Sequence, residues 1–149
     1  MEEMIRILVV NDEPEARKLM SDMLQENRGV EVVGLAATVD EGVKLMNREH
    51  PHLVLLDIQM PEKDGFHFIE QVRGSRDAPG IIFVTAYEHY AIQAIRNSVF
   101  DYILKPVHQE ELNQAIERYR SSGIKVHEQD FQQMMTALTA HASTPCRAK

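Results

Sequence analysis

Ile5-Arg6-Ile7-Leu8-Val9-Val10-Asn11-Asp12-Glu13-Pro14 is an apolar run of strand length that stops abruptly at three polar residues and a proline. Proline is well placed at the first position of a helix, where its missing N–H would have had no intrahelical partner. Beyond it Ala16, Leu19, Met20, Met23 and Leu24 recur at three- and four-residue spacing, which predicts a helix with one inward apolar stripe. The stretch reads as strand, polar turn, helix.

The same phrase repeats along the chain. Apolar runs rich in Val, Ile and Leu fall at 30–36, 53–56, 81–84 and 102–104, each of strand length. Between them lie helical periodicities. Thr38 and Glu41 form a capping-box pair for the second helix, which carries Val39, Val43 and Met46 inward. Asp64 caps the third, with Phe68, Ile69 and Val72 inside and Gly74 and Pro79 at its exit. A fourth helix is expected at about 89–98 and a fifth at about 109–120, the latter facing inward through Leu112, Ala115, Ile116 and Tyr119. The fifth starts behind His108, where Ser or Asp would cap better. Five β/α pairs with right-handed crossovers predict an α/β fold: a flavodoxin-like, doubly wound five-stranded parallel sheet in the order 2-1-3-4-5.

The expected domain is residues 1–120. A break at Ser121-Ser122-Gly123 opens a linker, 121–149, in which Phe131, Met134, Met135 and Leu138 mark an extra amphipathic helix at about 128–140. A disordered tail is expected after it. Pairing with a second chain is one way for that stripe to be covered, and folding back on its own domain is the other.

Lys and Arg number 16 against 23 Asp and Glu, a formal charge of −7, which disfavours direct nucleic-acid binding. The single cysteine, Cys146, supports neither a disulfide framework nor a cysteine metal site. Acids at the N-terminus and the lack of a long apolar run predict a cytoplasmic chain with no membrane span.

Functional residues gather where the strands end. Asn11, Asp12 and Glu13 follow the first strand, Asp57 the third, Thr85 the fourth and Lys105 the fifth. In an open parallel sheet, ligands bind outside these carboxyl ends, at the point where strand order reverses. Order 2-1-3-4-5 brings Asp12 beside Asp57, with Thr85 and then Lys105 next in line. Two neighbouring carboxylates call for a cation, and oxygen donors without cysteine suit Mg²⁺ or Mn²⁺. Asp57 can attack phosphorus to form an acyl phosphate while Lys105 neutralises phosphoryl oxygens and Thr85 donates to one. His50 and His52 precede the third strand, away from that edge, and read as solvated loop residues.

With these residues in place, the motifs Ile7-Leu-Val-Val-Asn-Asp-Glu-Pro14, Leu53-Val-Leu-Leu-Asp-Ile-Gln-Met-Pro61 with Asp64-Gly65, Ile82-Phe-Val-Thr-Ala86 and Phe100-Asp-Tyr-Ile-Leu-Lys-Pro106 resemble the receiver domain of two-component response regulators. The resemblance spans residues 5–119. Tyr87-Glu-His-Tyr-Ala-Ile-Gln-Ala-Ile looks most like receivers joined to LytTR-type DNA-binding outputs, for which the residues after 121 are too few. The chain is thus expected to be a stand-alone receiver or part of a longer regulator.

The resemblance implies that Asp57 accepts a phosphoryl group from a sensor histidine kinase. It implies Mg²⁺ ligation by Asp12, Asp57 and the backbone carbonyl of Gln59, pairing of Lys105 with the phosphate, and a switch made of Thr85 and Tyr102. It places Gln59 and Tyr87 where they tune the lifetime of the phosphorylated state and makes the Lys105-Pro106 bond cis. Homodimerisation is expected through the face of the fourth helix, fifth strand and fifth helix, or through the C-terminal helix. Such a chain catalyses its own phosphorylation and dephosphorylation without being a turnover enzyme.

One departure stands out: Asn11 occupies the place of the first of two acids. An amide can bind a metal-held water in the outer shell, but the pocket loses one negative charge. The alternative reading is therefore a degenerate receiver that acts as a phosphorylation-independent dimerisation or docking module. A flavin carrier would need a hydroxyl- and glycine-rich loop in place of Asn11-Asp12-Glu13-Pro14. A haloacid-dehalogenase-type phosphatase would need an acid at Gln59.

Overall fold

The computed structural model describes residues 4–73 and 78–122. The expected linker helix, the tail and Gly74 lie outside the described residues. Five strands, β1 (Ile5–Val10), β2 (Val30–Ala36), β3 (Leu53–Leu56), β4 (Gly80–Thr85) and β5 (Asp101–Leu104), alternate with five helices. These are α1 (Pro14–Leu24), α2 (Val39–Glu49), α3 (Gly65–Val72), α4 (Ala91–Arg96) and α5 (Gln109–Ser122). The sheet is parallel throughout, in the order β2-β1-β3-β4-β5.

Both faces of the sheet are covered, which is why its strands read as continuous apolar runs rather than alternating ones. Alternation survives as a choice of face. Leu8, Val10, Val54, Leu56 and Phe83 pack with Val39 and Met46 of α2, Phe68, Ile69 and Val72 of α3, and Ala94 and Ile95 of α4. Ile7, Val9, Leu53, Leu55, Ile82 and Ile103 pack with Met20 and Leu24 of α1 and Leu112, Ala115, Ile116 and Tyr119 of α5.

The caps form as their side-chain chemistry directs. Thr38 Oγ1 accepts from Glu41 N–H while Glu41 reaches back to Ala37 N–H. Asp64 accepts from the N–H groups of Phe66 and His67. Leu112 N–H donates to the carbonyl of His108, so α5 starts where the periodicity placed it.

Three expectations need correction. Leu19 does not join the α1 stripe: it is 55% exposed, because the sheet is met by Met20 and Leu24, one turn apart, and Leu19 sits about 100° off that line. The fourth helix is shorter than its periodicity, a 3-10 turn (Glu88–Tyr90) followed by six α-helical residues. It stops because the Asn97 side chain donates to Gln93 O, one turn back, and Ser98 adopts a left-handed φ of 58°. His52 is not a solvated loop residue. Its ring Nδ1 accepts from Arg6 N–H at 2.9 Å and its carbonyl accepts from Gly80 N–H and the Tyr119 hydroxyl.

Candidate functional site

The sheet order brings the ends of β1, β3, β4 and β5 together, and main-chain bonds fix them to one another. Asp57 N–H donates to Val10 O at 3.0 Å, Asn11 N–H to Ala36 O at 2.9 Å, and Lys105 N–H to Thr85 O at 2.8 Å. The polar residues leaving these strands are therefore held as one group.

Asp57 is its centre and is only 7% exposed. Lys105 Nζ lies 3.1 Å from one carboxylate oxygen, and Gln59 N–H donates to the other at 3.3 Å. Burial raises the Asp57 carboxyl above the usual carboxylate range, Lys105 and the Gln59 N–H pull it back, and the Asp12 charge pushes it up again. The net rise means that desolvation outweighs the ion pair.

Asn11 is 4% exposed, and its side-chain oxygen accepts from Glu13 N–H at 2.9 Å, an Asx-type turn that carries the chain from β1 into α1. Asp12, between them, is partly exposed. Thr85 is 1% exposed, its Oγ1 accepting from Tyr87 N–H at 3.3 Å. Tyr102 lies buried beside Phe83, and its hydroxyl donates to the carbonyl of the same Tyr87. Burial pushes that hydroxyl up, so it stays a donor. The two expected switch residues thus grip one residue from opposite sides, with Tyr102 already turned in. The Lys105-Pro106 peptide is cis, as the resemblance implied.

Three contributors were not legible beforehand. Arg17 Nη1 donates to Asn11 O at 2.7 Å, holding the acidic turn from the first turns of α1. The signal for it is that helical side chains lean toward the helix N-terminus, here toward the end of β1. Gly65 lies under the site: a Cβ there would stand 2.8 Å from the carbonyl oxygen of Asp57. Tyr90, not Tyr87, meets the side chain of Gln59, whose Nε2 donates to the Tyr90 hydroxyl at 2.9 Å.

Asp12, Asp57 and the main chain of Gln59 offer hard oxygen donors. Among the described residues no group of three or more His, Cys, Asp and Glu gathers as a denser metal site. Two carboxylates suit a cation that keeps several of its waters, which is how Mg²⁺ binds. Nor is any described helix long and apolar enough to cross a membrane.

Comparison with known proteins agrees with this geometry. Residues 7–117 match the family model described as the response regulator receiver domain. An uncharacterized response regulatory protein of Vibrio vulnificus is 42% identical over 115 residues, covering 77% of this chain and 47% of that protein. The transcriptional regulatory protein BtsR of Escherichia coli is 36% identical over 122 residues, covering 82% and 51%. The sensory transduction protein LytT of Bacillus cereus is 35% identical over 117 residues, covering 78% and 48%. The chain spans about half the length of these curated relatives. Among solved structures, a CheY-like response regulator receiver domain protein from Methanospirillum hungatei superposes with a TM-score of 0.70 at 28% identity, covering 80% of this chain and 96% of that one. Sheet order, the carboxylate beside the lysine and the match over residues 7–117 lead to one conclusion: the chain belongs to the response regulator receiver domain family, and it is a receiver domain of two-component signalling.

Proposed function

We propose that Asp57 accepts a phosphoryl group from the phosphohistidine of a sensor histidine kinase. The observation that carries this reading is the buried Asp57 carboxylate, 3.1 Å from the Lys105 ammonium at the open edge of the sheet. A carboxylate that only capped a helix would have no use for a lysine brought from β5, two strands away.

In the reaction one Asp57 oxygen forms a bond to phosphorus. The P–N bond breaks, and its electron pair returns to the imidazole nitrogen of the donor. Lys105 neutralises charge on the phosphoryl oxygens, and the Thr85 hydroxyl, whose oxygen accepts from Tyr87, keeps its proton to donate to one of them. Asp12, Asp57 and the Gln59 carbonyl would hold Mg²⁺, with Asn11 in the outer shell. When bound, the ion supplies positive charge to the phosphoryl oxygens and relieves the Asp12–Asp57 repulsion.

The output follows from the shared grip on Tyr87. Recruitment of Thr85 by the phosphoryl group strains the bond to Tyr87 N–H, and Tyr102 follows the carbonyl of that residue. The exposed Tyr87 and Ile92 support a readout on the α4–β5–α5 face, through which a second copy would dock. The net charge of −7 sets against contact of residues 1–149 themselves with DNA phosphates.

The test is incubation with a small acyl-phosphate donor and Mg²⁺, followed by intact-mass analysis. One hydroxylamine-labile phosphoryl group is expected, absent from Asp57→Asn. Equal labelling of that variant overturns the assignment to Asp57, and failure of the parent to label leaves a phosphorylation-independent docking module as the reading.

A further inference from the structure

Gln59 begins at the mouth of the pocket, since its own N–H donates to an Asp57 oxygen. Its side chain is exposed and yet directed, because Nε2 donates to the Tyr90 hydroxyl at 2.9 Å. This bond joins the loop after β3 to the short turn after β4, across a sequence separation of 31 residues.

Tyr90 can serve as a fixed post because its ring is held on several sides. The ring centroid lies 4.3 Å from that of His89, 6.1 Å from that of Phe66 on α3, and 6.2 Å from that of Tyr87. Phe66 in turn meets the buried Phe83 of β4 edge-on at 5.1 Å. Tyr87 is occupied differently: its backbone serves Thr85 and Tyr102 and its ring rests on His89 and Tyr90.

We infer that Tyr90 is the positioning residue that sets the lifetime of phosphorylated Asp57, by tethering the Gln59 amide away from the line along which water attacks the acyl phosphate. The inference rests on the acceptor reading and deepens it. Hydrolysis requires a water on the side of phosphorus opposite the Asp57 oxygen. A primary amide free to swing over that position can orient such a water by hydrogen bonding. Tied to Tyr90, one of its two N–H donors is used and its reach is fixed. The tether therefore slows loss of the phosphoryl group, while transfer to Asp57 depends on Asp57, Asp12 and Lys105.

The experiment uses the full chain, labelled with a small acyl phosphate and Mg²⁺, freed of donor, and followed by intact mass as the phosphoryl group decays. Tyr90→Phe keeps the ring and removes the hydroxyl. Its decay is expected to be about two- to tenfold faster, the range for loss of one hydrogen bond, with initial labelling changed less than decay. In a Gln59→Ala background the same substitution should leave decay unchanged, because no amide remains to release. Decay of Tyr90→Phe equal to or slower than the parent overturns the inference. So does an equal acceleration with and without the Gln59 amide, which would assign the effect to ring packing. Failure of the unaltered chain to label would overturn the acceptor reading itself, and the inference with it.

Discussion

The two edges of the sheet use polar groups in opposite ways. At the amino edge they complete the backbone. His52 N–H donates to Arg6 O and its ring accepts from Arg6 N–H, so one side chain extends the β1–β3 pairing by a further bond. The His52 carbonyl collects Gly80 N–H and the Tyr119 hydroxyl, and the Arg6 guanidinium pairs with Glu49. At the carboxyl edge the polar groups are set against one another. Asp57 is buried at a cost its lysine does not fully offset, and a second carboxylate adds to that cost. Bonds at the first edge serve stability, whereas strain at the second is the arrangement a cation would relieve.

The largest effect is expected at the carboxyl edge, from Gly65→Ala. The new Cβ would meet the Asp57 carbonyl at 2.8 Å, a Phe83 ring atom at 2.9 Å and the Ile58 Cα at 3.1 Å, and backbone has little room to yield. A loss of ~3 kcal/mol in urea unfolding is expected, together with reduced labelling of Asp57. Normal labelling would show that the loop can shift without moving the acceptor.

His52→Ala probes the other edge. It strands the Arg6 N–H, which should cost ~2 kcal/mol while the rate of Asp57 labelling stays within about twofold of the parent. A large fall in labelling would break the separation between the two edges.

Asn11→Asp should bring both effects into one residue. The carboxylate can still accept from Glu13 N–H, so the turn survives, but a further charge joins Asp12 and Asp57. Mg²⁺ affinity should rise by about tenfold or somewhat more, corresponding to ~1.4 kcal/mol, while the metal-free protein becomes less stable. Titration and thermal melts with and without Mg²⁺ read the two arms. An affinity within about twofold of the parent would place position 11 outside the metal's outer shell.

The smallest effect carries a distinctive sign. Because the folded Asp57 carboxyl sits above its unfolded value, the folded state holds that proton more tightly. The penalty is absent below the unfolded value, grows as pH rises between the unfolded and folded values, and is complete at neutral pH. Asp57→Asn should therefore be more stable than the parent by ~1 kcal/mol at pH 7, with the gain vanishing in acid. Lower stability at pH 7 would mean that the Lys105 ion pair outweighs burial.

Sequence alone carried the strand and helix order, because two covered faces demand apolar strands and one covered face demands a 3.6-residue stripe. It also carried the pocket residues, because in an open parallel sheet the residues after each strand must share one edge. Asp57, Thr85 and Lys105 were legible for that reason, as were the caps at Thr38 and Asp64. Leu19 and the end of α4 were not. Periodicity says that a face is apolar but not how wide a strip the sheet covers, and Asn97 ends a helix only when its side chain turns back to Gln93 O. The same limit hid the working of the site. That Tyr102 and Thr85 act on a single residue, that Gln59 meets Tyr90 and that His52 completes the sheet all depend on contacts between segments far apart in the chain. Hydrogen-bonding capacity is written in each side chain, but its partner is chosen only when the packed sheet sets the distances.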